Sequence, residues 1–169
     1  MRLHSAKVPQ IASEMVDALV KGGDIETESP NEVKADIEAV LGQYIRDELE
    51  VSDRAKDFLA QRNMGPNELN RIKKLMADER KIKIGEDAID YLLDQLVEML
   101  MHSGNVEEVF SEDYVLRRKM RDPLRKQLGE EQDLQAEVRE RLKHVQEGTA
   151  LWEVEYRRTL EDIKRRKGL

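Results

Sequence analysis

The feature that most constrains this chain is its likeness to itself. Laying Val8 on Ile89 carries Ile11 onto Leu92, Ala12 onto Leu93, Met15 onto Leu96, Val16 onto Val97, Leu19 onto Leu100 and Val20 onto Met101. The same register puts Gly23 on Gly104, Asp24 on Asn105 and Ile25 on Val106. One inserted residue brings Ser29 onto Ser111. One more brings Ile37 onto Met120, Leu41 onto Leu124, Ile45 onto Leu128, Val51 onto Leu134, Ala55 onto Val138 and Leu59 onto Leu142. Gly65 then falls on Gly148 and Leu69 on Trp152. Amphipathic segments slide into partial register easily. Glycines that agree at two helix ends, and serines that agree at a helix start, point further, to a duplication. The repeat is about twice the roughly 34–47 residues of helical solenoid units. It therefore predicts a tandem pair of lobes, residues 1–81 and 82–169.

Within each copy the apolar residues recur at helical spacing. Val8, Ile11, Ala12, Met15, Val16, Leu19 and Val20 share one face of a first helix, with Pro9 in its first turn and Gly22-Gly23 as its stop. Asp24–Thr27 is predicted extended. Ser29-Pro30-Asn31-Glu32 has the form of a capping box with proline at the first helical position. The helix it starts carries Val33, Ile37, Val40, Leu41, Tyr44, Ile45 and Leu49. Ser52 or Asp53 is predicted to cap a third helix through Leu59, and Gly65-Pro66-Asn67-Glu68 a fourth with Leu69, Ile72, Leu75 and Met76 facing inward. In the second copy a helix opens at Gly85 or Glu86 and ends at Ser103-Gly104, and another opens at Ser111. Pro123 is expected to kink or restart that helix near Asp122. Thr149 caps the last helix, with Trp152, Tyr156, Leu160 and Ile163 inside and the tail Lys164–Leu169 expected to fray. Short extended segments are expected at Met1–Leu3 and Lys81–Ile84, where apolar and basic residues alternate, and the two are expected to pair with each other or to pack equivalently. The fold class is all-α.

Composition narrows the function classes. With no cysteine, disulfides, thiolate metal sites and cysteine nucleophiles are excluded. The net charge of −7 argues against generic nucleic-acid binding. No apolar run approaches the ~20 residues of a membrane span, and Met1–Ser5 lacks a signal core, so no membrane partner is expected and the expected compartment is the cytoplasm.

No catalytic pattern stands out. His4, His102 and His144 lack metal-site spacing, and no metal or cofactor is expected. The carboxylates Asp47, Glu48, Glu50 and Asp53, and Glu130, Glu131 and Asp133, read as solvated helix ends. Gly22-Gly23 and Gly65-Pro66 lack the lysine and preceding strand of a phosphate loop. The charge order is more telling. Glu86–Asp113 contains no Lys or Arg, whereas Arg117, Arg118, Lys119, Arg121, Arg125 and Lys126 follow closely. A second basic set spans Arg157–Lys167, with Arg165 and Arg166. Such sets contact phosphate, dock on the chain's own acidic helix or form a solvated face. Trp152 is read as core, or as an interface marker if exposed. Met99-Leu100-Met101 with Val109-Phe110 forms another candidate patch.

Three runs resemble the bacterial family catalogued as domain of unknown function 507. They are Met1-Arg2-Leu3 with the helix ending Gly22-Gly23-Asp24-Ile25, the acidic-apolar run Ile45–Arg54, and Ile72–Ile84. The resemblance spans the chain, as a two-copy member, and implies no assigned activity and no functional residues.

The expected function is non-catalytic: a protein-interaction or scaffolding protein with a protein partner or itself. Its candidate surface is Arg117, Arg118, Arg121, Arg125, Trp152, Arg165 and Arg166. The alternative is an RNA- or ribosome-associated protein using the basic stretches 117–126 and 157–167. An enzyme would require a concave pocket with convergent acids or a buried histidine.

Overall fold

A computed structural model describes the chain from Leu3 to Gly168, with the side chains of residues 130–132 left out. The expectations placed on Met1, Arg2, Glu130, Glu131 and Leu169 lie outside the described residues. The chain is all-α. Its helices are α1 (Val8–Lys21), α2 (Pro30–Gln61), α3 (Leu69–Arg80), α4 (Ala88–His102), α5 (Asp113–Arg141) and α6 (Ala150–Lys167). Two short strands, β1 (Ile25–Glu26) and β2 (Glu108–Val109), pair antiparallel with Ile25 opposite Val109 and Glu26 opposite Glu108.

Local chemistry sets most of these ends. α1 stops where Gly23 adopts φ 69° and the N–H of Asp24 returns to the Leu19 carbonyl at 2.9 Å. α2 begins without the expected serine side-chain cap. The Ser29 carbonyl instead accepts from Glu32 N–H at 3.0 Å, and the Ser29 N–H donates to Thr27 Oγ1 at 2.9 Å. Thr149 does cap α6, accepting from the Trp152 N–H at 3.2 Å.

The two long helices depart from the sequence reading. α2 runs 32 residues without a break at Ser52-Asp53, spanning about 48 Å at 1.5 Å per residue. Its inward stripe continues through Val51, Ala55 and Leu59, and no glycine or proline interrupts it there. α5 continues through Pro123 without restarting. A proline inside a helix costs about 3 kcal/mol. The adjacent Met120 and Leu124 are fully buried, each worth roughly 1.5–3 kcal/mol, which offsets that loss. The basic tail does not fray before Lys167, which pairs with Glu137 at 2.9 Å. Val20, Leu49 and Leu75, expected inward, are 37%, 52% and 50% exposed.

The chain packs as two compact units, Met1–Gln127 and Leu128–Leu169, a boundary different from that of the lobes 1–81 and 82–169. In the first unit, one buried cluster draws on α1, the first half of α2, α4 and the start of α5, so both halves of the sequence supply it. Smaller clusters, Val51, Ala77 and Ile82, and Ala55, Leu59 and Ile72, join the end of α2 to α3. In the second unit, Leu134 and Val138 of α5 and Leu142 just after it close on Ile163 of α6, with Trp152, Tyr156 and Leu160 against them. The segment Lys81–Ile84 alternates as expected, Ile82 buried and Lys83 exposed, but it belongs to no strand. Lys81 ends α3 in the left-handed region at φ 62°, with the N–H of Ile82 bonded to the Ala77 carbonyl at 3.0 Å.

Two measurements check this packing. Leu96→Ala removes a fully buried side chain and should cost about 2–5 kcal/mol in denaturant unfolding, whereas Leu49→Ala should stay within about 0.5 kcal/mol. Lys81→Gly should stabilise by about 0.5–1 kcal/mol, since glycine adopts this backbone geometry without the Cβ clash.

Candidate interaction surface

The basic stretch of α5 divides into an inner and an outer set. On the inner edge, Arg117 pairs with Asp94 and lies 3.8 Å from Asp90, and Arg121 reaches Asp90 at 3.1 Å. Both acids come from α4, so the basic helix does dock on the acidic one. Lys126 reaches Glu14 at 3.6 Å. On the outer edge, Arg118 and Arg125 are exposed. With Tyr114 and Arg121 they recur at helical spacing and share one stripe. Tyr114 is 69% exposed and Phe110, just before α5, is 60% exposed. The position of Phe110 is set by β2, because its N–H donates to the Asp24 carbonyl at 2.8 Å. Within the Met99–Met101 patch, Leu100 is buried, Met99 packs against the core and Met101 is exposed.

The remaining candidates lie in the second unit. Trp152 is half-buried with its ring 4.8 Å from that of Tyr156, and it serves the local core. Arg165 is exposed, while Arg166 pairs with Asp162 at 3.2 Å. At the start of α6, Leu151 and Val154 are exposed one turn apart.

Two polar locks were not anticipated. Asp24 is only 3% exposed, yet it pairs with Lys119 of α5 and accepts from Ser111 Oγ at 2.6 Å. Burial acts to raise its pKa, but the hydrogen bonds from Lys119 and Ser111 prevail and hold the carboxyl below its ordinary value. A Cβ on Gly22 would press on the Lys119 ammonium and sit 2.8 Å from the Ala18 carbonyl, so a glycine belongs there. The second lock centres on Asp36 of α2, which accepts from Ser103 Oγ at 2.6 Å and Asn105 Nδ2 at 3.0 Å. The sequence register contained the signal: Asp24 aligns with Asn105, and Asp36 aligns with Lys119. In each lock, the loop after the first helix of one half reaches the long helix of the other.

The acidic run near Asp47 is likewise partly engaged. Arg80 at the end of α3 holds Asp47 at 2.8 Å and Glu50 at 2.7 Å. The buried Tyr44 donates to the Lys83 carbonyl at 3.0 Å, and burial raises its pKa. A groove of about 540 Å³ between α2 and α3 is lined by Val51, Phe58 and Met76 together with Arg54, Asp57, Glu79 and Arg80. His102 Nε2 lies 3.0 Å from Glu98 on the surface, and His144 is exposed. Among the described residues no group of three or more His, Cys, Asp or Glu could hold a metal, and no helix is long and apolar enough to cross a membrane.

The family model described as protein of unknown function (DUF507) matches residues 1–169. The chain belongs to this family. No curated protein matches it. Two of the runs that carry the resemblance meet in the fold, since Asp47 and Glu50 lie in one and Arg80 in the other.

The Asp24 lock has a pH signature. Its folded pKa is below the unfolded value of about 3.9, so its contribution is present above that pH and is lost as pH falls through the folded value. Asp24→Asn should flatten the acid limb of the stability–pH profile below about pH 4. Lys119→Met, which strands the buried carboxylate, should cost about 3 kcal/mol at pH 7 in denaturant unfolding.

Proposed function

We propose that this chain is a non-catalytic protein-interaction or scaffolding protein of the bacterial cytoplasm, built by internal duplication. Support for the duplication comes from burial. The matched pairs Ile37 and Met120, Leu41 and Leu124, Val51 and Leu134, Ala55 and Val138, and Leu59 and Leu142 are buried in both halves. The elements also recur in order, helix, short strand, long helix, helix.

The observation that carries the interaction reading is the exposure of Phe110 and Tyr114. The chain has seven aromatic residues, two Phe, four Tyr and one Trp, and these two stand 60% and 69% out of the fold where the structure makes no use of them. Exposed aromatics beside arginine are the composition of interface hot spots. The second unit presents Leu151 and Val154 separately, which gives a scaffold two apolar faces.

A tagged chain crosslinked in its native cell should retrieve a protein in near-stoichiometric amount, and Phe110→Ala with Tyr114→Ala should lower the yield about tenfold or more. No retrieval, or retrieval unchanged by the double variant, overturns this reading.

A second reading, association with RNA or ribosomes, rests on Tyr114, Arg118 and Arg125 sharing one stripe, with Arg165 exposed on α6. Under it, RNA binding weakens steeply with salt, and Arg118→Glu, Arg125→Glu and Arg165→Glu together abolish it.

A further inference from the structure

The outer stripe of α5 is chemically polar along its length. Around its aromatic end the exposed charges are acidic: Glu108, Glu112 and Asp113. No Lys or Arg occurs between Glu86 and Asp113. Toward its other end the exposed charges are Arg118, Asp122, Arg125 and Lys126, a net basic set, with Arg121 partly exposed and held by Asp90. One end of the face is therefore complementary to the other.

The counterpart face in the first half has none of this. Counting from the buried matches Ile37 with Met120 and Leu41 with Leu124, Tyr114 corresponds to Asn31, Arg118 to Ala35 and Arg125 to Gly42. The inward sides of α2 and α5 agree and the outward sides do not. Packing accounts for the inward agreement. The aromatic-basic stripe lies on the side that packing leaves free.

Resting on the interaction reading above, we infer that this stripe docks antiparallel on the same stripe of a second copy of the chain. A self-complementary face closes under a two-fold axis, and every contact is then made twice. With the axis passing level with Leu116, Tyr114 of each copy lies level with Arg118 of the other, as a reciprocal cation–π pair. The acidic start of each α5 then lies toward the basic end of its mate. A parallel arrangement would set acid against acid and arginine against arginine. A nucleic-acid occupant would place phosphate beside Glu108, Glu112 and Asp113. A second copy satisfies both ends, and Phe110 and Tyr114 supply the apolar contact.

Sedimentation equilibrium of the full chain over a wide concentration range tests this. The expected result is a reversible dimer that weakens as salt rises, because the paired ends are ionic. Arg118→Glu should weaken it about a hundredfold, since a like charge is introduced twice, and Tyr114→Ala should weaken it about tenfold. All these positions are exposed, so unchanged circular dichroism verifies the fold. Mixing Arg118→Glu/Arg125→Glu with Glu108→Lys/Glu112→Lys should restore a heterodimer that neither variant forms alone. A monomer mass at every concentration overturns the inference, as does a dimer indifferent to Arg118→Glu or association that appears only with added RNA. If the chain is monomeric while the crosslinked capture still depends on Phe110 and Tyr114, the second copy is wrong as occupant and the interaction reading stands.

Discussion

The large buried cluster of the first unit is the constraint on which the rest depends. Its fully buried side chains, among them Ile11, Met15, Leu19, Ile37, Leu41, Leu92, Leu93, Leu96, Leu116 and Met120, come from helices in both halves of the sequence. Each is worth roughly 1.5–3 kcal/mol. The exposed ion pairs on α3, α5 and α6 are worth about 0–1 kcal/mol apiece. Burial therefore decides which helices come together. Both halves of the sequence supply this cluster, and the first unit accordingly runs past the junction at Lys81 to Gln127.

Given that core, the polar locks set register. Two short loops, each entering a strand, must sit where the long helices cross near them. Asp24 meets Lys119 and Ser111, and Asp36 meets Ser103 and Asn105. A buried carboxylate without such partners would be costly, so these pairs exclude alternative placements of the loops more than they add to stability. The antiparallel pairing of Ile25 with Val109 lies between them and orients Phe110. The exposed aromatics at the start of α5 thus owe their position to a buried aspartate and a two-residue strand. The interaction proposal follows from that placement: α5 spends Arg117, Lys119 and Arg121 on the fold and keeps Arg118 and Arg125 on its surface with Tyr114.

Much of the fold was legible because helical periodicity is a local property. The inward faces of α1, Val20 excepted, of α4 and of the first part of α2 follow from spacing alone, and Gly22-Gly23 marks a real stop. The misreadings arose where a local signal competed with packing. Ser52-Asp53 resembles a cap, yet burial of Val51, Ala55 and Leu59 carries α2 through it. Pro123 resembles a break, yet Met120 and Leu124 hold α5 continuous. Leu49 and Leu75 fit the apolar spacing but face outward, because periodicity identifies a face without saying what covers it. Of the candidate surface, Arg117 and Arg121 went to ion pairs with α4 and Trp152 to a core. Phe110 is legible as part of a candidate patch with Met99–Met101, but its exposure beside Tyr114 is not, because isolated aromatics carry no pattern in one dimension.

By itself the sequence determined the all-α class, most of the helical faces and membership of the family, since each depends on residues near in the chain or on the chain as a string. Only the tertiary structure decided that helices of both halves share one core, that Asp24 finds Lys119, and that the stripe of Tyr114, Arg118 and Arg125 faces outward. Those outcomes depend on which surfaces exclude water from one another. That is settled by contacts between residues far apart in the chain, to which helical spacing is blind.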